Sequence, residues 1–148
     1  MEECKIFNKS NFAKLELKSG SVFEDCEFWG LDFSGLLLKS VSFVDCRFVD
    51  CNLANQILTN TSMRACRFEG CNLIGINWCA LRSFQGGSFV DCKLNFASFQ
   101  GLKLKGLKLQ GCLAVEVDFS EADLSGADFS GTGFSGANFT RAVRRSKI

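Results

Sequence analysis

The 148-residue chain contains no histidine, no tyrosine and no proline. Without histidine it lacks the side chain most often used as a general acid or base near neutral pH, and a common metal ligand. No apolar run approaches the length of a bilayer span, so no membrane segment is expected. Met1-Glu2-Glu3 opens acidic and leads into polar sequence, so no leader peptide is expected. Charge of one sign is missing as well: 17 Lys and Arg against 16 Asp and Glu leave a net +1. That balance argues against a chain that binds nucleic acid through an overall basic surface or acts as an acidic decoy. The expectation is a single cytoplasmic domain over residues 1–148.

What is present in excess is phenylalanine, at 16 residues, and cysteine, at nine. The phenylalanines keep a five-residue beat. Every fifth residue from Phe23 to Trp78 is apolar, and so is every fifth from Phe84 to Phe139. One extra residue separates the two runs, and a similar slip near Gly20 separates a shorter run of Phe7, Phe12 and Leu17. Fifteen of the 16 phenylalanines lie on the beat; Phe96 is the exception. Five residues advance an α-helix by about 500°, so successive rings would miss one another by roughly 140°. On a continuous strand an odd spacing would send them to alternate faces. The chain must therefore turn within each repeat, so that short extended pieces return every fifth side chain to one interior.

The remaining positions agree. Two residues before each centre sits a small or apolar residue, a period-two partner that should also face inward. Seven of the nine cysteines occupy it: Cys26, Cys46, Cys51, Cys66, Cys71, Cys92 and Cys112. The residue immediately before the centre is usually polar. Eleven of the 14 glycines stand two after the centre, where a tight corner calls for positive φ. Ala122-Asp123-Leu124-Ser125-Gly126, Ala127-Asp128-Phe129-Ser130-Gly131 and Ala137-Asn138-Phe139 carry the pattern most clearly.

This pattern resembles the pentapeptide-repeat family, over roughly residues 5–141, with a short basic tail at 142–148. The resemblance implies an all-β fold: a right-handed quadrilateral parallel β-helix with four pentapeptides per coil. The repeats would then make about seven coils, at ~4.8 Å per coil. The family often covers its C-terminal end with a helix and dimerises there. Only Ala142 to Ile148 follow the last repeat here, so an open end, an end-to-end homodimer and a shortened chain remain alternatives. Some members mimic duplex DNA and bind a type II topoisomerase such as gyrase, protecting it from drugs. The Phe-x-x-Cys-x-Phe spacing at Phe23–Phe28 and Phe43–Phe48 is similar to theirs.

No chemistry-bearing constellation emerges. The cysteines lack the two-residue gaps of a zinc site and read as compact hydrophobes, so no metal or cofactor is expected. On the four-per-coil scheme Cys51, Cys71, Cys92 and Cys112 form one interior ladder, with parallel side chains poorly placed for disulfides. Gly131-Thr132-Gly133-Phe134-Ser135-Gly136 matches a dinucleotide-binding fingerprint, but no helical pattern follows it. The acids mostly fall on outward positions of a convex rod, which offers no cleft for paired carboxylates. A non-catalytic protein-interaction module is therefore the leading expectation, with a topoisomerase-directed DNA mimic as the alternative.

Two surfaces are candidates for a partner. Trp29, Val49 and Val90 follow their centres and should point outward on one face, and Phe96 should lie near a corner surface; clustered exposed apolar residues mark contacts. Residues 112–140 hold five acids and no base: Glu116, Asp118, Glu121, Asp123 and Asp128. This acidic band is flanked by Lys103, Lys105 and Lys108 on one side and a basic tail starting at Arg141 on the other, and it suits a basic partner. The basic tail is the sole support for direct nucleic-acid binding.

Overall fold

A computed structural model describes residues 1–3, 5–14 and 17–144. Cys4, Leu15, Glu16 and residues 145–148, with Arg145 and Lys147 of the basic tail, lie outside them. The chain is a four-sided parallel β-solenoid. On the first side β1 (Glu2–Glu3), β3 (Val22–Glu24), β5 (Ser42–Val44), β7 (Ser62–Arg64) and β9 (Ser83–Gln85) stack in that order. On the second, β2 (Ile6–Phe7), β4 (Glu27–Trp29), β6 (Arg47–Val49), β8 (Arg67–Glu69), β10 (Ser88–Val90) and β11 (Lys108–Gln110) do the same. The third and fourth sides are held by single bridges, Asp32–Asn52–Asn72–Lys93–Leu113–Gly133 and Asn77–Ser98–Asp118–Asn138. Named strands thus run through five and six layers, fewer than the expected seven coils. Beyond them bridges alone continue the stack, for example from Lys108 to Asp128.

The registers explain the beat. Phe23 pairs with Phe43 and Phe28 with Phe48, a separation of 20 residues, or four pentapeptides. Most centres are buried, with Phe12, Leu17, Phe129, Phe134 and Phe139 partly so, and rings stack along the first, second and fourth sides. Phe28, Phe48, Phe68 and Phe89 follow one another at 4.8–5.2 Å, and Phe99, Phe119 and Phe139 at 5.2–5.3 Å. Rings from adjacent sides meet edge to face, as Phe43 and Phe48 do at 5.3 Å and 67°. Each buried ring contributes about 1.5–3 kcal/mol before conformational entropy offsets most of it.

Two kinds of repeat build the sides. In Asp32-Phe33-Ser34-Gly35 the Asp32 carboxylate accepts the Ser34 N–H at 2.8 Å, and the Leu36 N–H closes a turn onto the Phe33 carbonyl at 3.1 Å. Gly35 takes φ +76, as the third residue of a type II turn must. The capped N–H is withdrawn from the ladder, so only a bridge remains. Asn52, Asn72, Asn77, Asp118, Asp123, Asp128 and Asn138 cap in the same way. Where Glu27, Arg47, Arg67, Ser88 or Lys108 precedes the centre, no such cap forms and a three-residue strand runs instead.

The inward cysteines are hydrogen-bonded as well as packed. Cys112 Sγ donates to the Phe89 carbonyl at 3.6 Å and accepts the Cys92 N–H at 3.4 Å. Thr132, next in the column, donates to Leu109 O at 2.5 Å and accepts the Cys112 N–H at 3.2 Å. Cys51, Cys71 and Cys92 repeat the thiol-to-carbonyl bond at 3.3 Å. Burial pushes the Cys46 and Cys66 thiols up to about 12, which keeps them protonated. The extra residue before Phe84 is absorbed by a 3-10 turn, Trp78–Ala80, capped by Asn77.

Candidate interaction surface

The coil separates the four expected apolar contacts. Trp29, Val49 and Val90 share a column on the second side, with Glu69 between Val49 and Val90. Trp29 is 38% exposed, but its indole N–H donates to Glu27 Oε1 at 2.8 Å and Arg47 stacks on its ring at 5.0 Å. The Arg47 guanidinium also pairs with Glu69 at 2.7 Å, and Arg67 joins the same carboxylate at 3.0 Å. Arg47 therefore reaches across Val49, which is only 8% exposed. Val49 must be removed from the exposed set: its flanking residues in the column are longer and bridged over it. Val90 is half-buried.

Phe96 stands apart, at the corner between the third and fourth sides, and is 61% exposed. Its corner column runs Gly35, Asn55, Gly75, Phe96, Glu116 and Gly136, all at positive φ. A bulky residue with φ 63 is a genuine outlier, because Cβ then crowds the backbone. Its N–H bonds to Val115 O at 3.0 Å, which places Glu116 directly one coil on. Asp118 lies on the adjoining side, bridged to Ser98.

The five acids do not form one patch. Glu116 and Asp118 adjoin Phe96, Glu121 sits at the next corner paired with Arg141 at 3.1 Å, and Asp123 and Asp128 belong to the first and second sides. Spaced five or fewer residues apart, they are distributed around the coil. Asp128 is engaged by the Ser130 hydroxyl and amide, and the Gln110 amide donates to it at 2.7 Å, so its carboxyl sits below the usual aspartate value.

Sequence reasoning missed a further apolar surface. Leu37 and Ile57 lie one coil apart on the fourth side, each more than 70% exposed. Both occupy the position before a centre, where a polar residue is the rule, and that departure was the available signal. Leu37 continues into a groove lined by Phe12, Ala13, Leu17 and Leu36.

The profile described as "Pentapeptide repeats" matches eight copies in the chain, over residues 46–77 and 103–141. The chain belongs to the pentapeptide-repeat family. This pentapeptide-repeat protein is similar in structure to a trypsin-treated variant of QnrB1, a plasmid-mediated fluoroquinolone resistance protein. The identity is 21% and the TM-score 0.52, over 95% of this chain and 77% of that one. It is also similar to Rfr23, a pentapeptide-repeat protein from the cyanobacterium Cyanothece 51142, at 17% identity and TM-score 0.46, over 90% of this chain and 97% of that one. At 21% identity the likeness to QnrB1 is one of fold. No curated protein matches the sequence. Among the described residues no helix is long and apolar enough to cross a membrane.

Proposed function

We propose that this solenoid is a non-catalytic protein-interaction scaffold whose contact is centred on Phe96. The observation that carries this reading is the cost of Phe96 as placed. Its backbone occupies a region that glycine or asparagine fills cheaply in the same column, and its ring stands 61% exposed. Such strain persists where the surroundings enforce it, and it collects at binding and switch sites. Burial of the ring in a partner offsets both penalties. With Glu116 and Asp118 beside it, the complementary surface is an apolar pocket rimmed by Lys or Arg.

Crosslinking and capture from native lysate, with the wild type beside Phe96→Asn and Glu116→Lys, tests this. The partner retained by the wild type should be lost from both variants. Asn55 already holds the same backbone conformation at φ 58, so Phe96→Asn should melt no lower than the wild type, which separates lost contact from misfolding. A partner set unchanged by both substitutions, or none retained with crosslinking, ends the proposal. The DNA-mimic alternative has less support, since its acids are dispersed around the coil and the net charge is +1. It requires that micromolar protein inhibit supercoiling by gyrase or protect it from drugs.

A further inference from the structure

We propose that a groove at the corner between the first and second sides binds a compact phosphate-bearing anion. The groove measures about 470 Å³ and is lined by Arg67, Gly86, Lys103, Lys105, Gly106 and Lys108, among others. It lies where the ladder of the first side opens. β9 pairs with β7 alone, and no backbone hydrogen bond joins residues 81–87 to residues 102–107. At the equivalent corners Asp45 N–H reaches Arg64 O at 2.9 Å, Ala65 N–H reaches Gln85 O at 2.8 Å and Gly106 N–H reaches Ser125 O at 2.8 Å. The Gly86 N–H, next in that series, finds no such carbonyl. The second side stays closed at the same level, with Phe89 opposite Leu109. The opening is therefore local, and it places an unused backbone donor among cations.

The charges fit one ligand class. Lys103, Lys105 and Lys108 are exposed, and among the described residues none is ion-paired. Arg67 keeps one contact, to Glu69. Two carboxylates lie one coil on, Asp123 opposite Lys103 and Asp128 opposite Lys108. Both are occupied in capping Ser125 and Ser130, and Lys108 helps hold the Asp128 carboxyl low. Four cations against three carboxylates, with Glu69 shared between Arg67 and Arg47, leave the groove positive. A glycine at position 106, with open space where a Cβ would stand, lets a ligand approach the backbone. A tetrahedral oxyanion of charge two or more uses several donors arriving from different directions, as three mobile ammonium groups, a guanidinium and a backbone N–H supply.

The test is titration of the ¹⁵N-labelled full chain with sodium pyrophosphate, against sodium chloride at matched ionic strength and against citrate. Saturable shifts are expected at Gly86, Gly87 and residues 103–106, with a Kd of roughly 0.1–1 mM. Lys103→Gln combined with Lys105→Gln should weaken binding at least about tenfold, as should Arg67→Gln alone to a smaller degree, while Lys93→Gln on the third side leaves it unchanged. Dispersion of the amide spectrum reports that each variant is folded. Absence of saturable shifts at about 10 mM pyrophosphate, shifts reproduced by chloride, or shifts confined to Arg141–Arg144 would overturn the site. Citrate binding as tightly as pyrophosphate would overturn the assignment to phosphate.

Discussion

A cysteine at the small inward position serves the fold through both polar capacities of its sulfur. At Cys112 the sulfur takes the Cys92 N–H, which lies in the core with no other acceptor, and gives its own proton to a strand carbonyl. Thr132 performs the same exchange one coil later. Chemistry at this position is therefore decided by hydrogen bonding as much as by volume. Cys112→Val keeps the volume but strands the Cys92 N–H, and a buried unpaired amide costs about 1–3 kcal/mol. Cys112→Thr retains an acceptor and a donor. Urea denaturation should show the valine variant less stable than the threonine variant by at least about 1 kcal/mol. Equal losses would mean that the sulfur only fills space.

At the scale of the repeat, an Asp or Asn before the centre caps the turn that follows, although Lys93, Lys103 and Leu113 precede turns that form without a cap. Polarity at that position was legible in the sequence, but its purpose was not. Asp118, Asp123 and Asp128 read as members of an acidic patch because nothing in a linear pattern shows where an Asp oxygen finds its donor. In the folded coil each is tied to the amide two residues ahead. The consequence for pH is specific. Asp32, bonded to the Ser34 and Asn52 side chains and the Ser34 amide, has its carboxyl held below its ordinary value of 3.8. A depressed folded pKa means that its stabilisation is complete above 3.8 and is lost as pH falls through the lower folded value. Asn52 and Asn72 cap in the same column with an uncharged amide, at 3.1 and 3.2 Å. Asp32→Asn should therefore leave the melting temperature near pH 7 within about 2 °C of the wild type, and lose less than the wild type between pH 4 and pH 2.5. Matching acid-induced losses in the two proteins would remove the cap from the explanation.

For the whole molecule, the interior was legible because one physical requirement repeats: large side chains spaced five apart share a core only if the backbone winds around it. Phe96 was visible as the one phenylalanine off the beat, whereas its strained corner and its acidic neighbours depend on which residues fall 20 apart. Val49 looked exposed for the same reason, since Arg47 bridges to Trp29 and Glu69 only after coils are stacked. Four-fold periodicity is thus what turns sequence into surface, and it can be challenged directly. Ser40 and Asn60 are equivalent corners one coil apart, at φ 58 and 54. Deleting residues 41–60 removes one coil and rejoins matching corners, so Phe68 moves under Phe28 and every later side keeps its column. Deleting only residues 41–45 rotates all that follows by a quarter turn. Strand repeats then meet capped repeats, and thiols lose their carbonyls. Because each coil interacts with its neighbours alone, the 20-residue deletion should unfold cooperatively with a modest fall in melting temperature by circular dichroism. The five-residue deletion should lose its cooperative transition. Equal damage from the two would refute the four-sided column as the unit of stability.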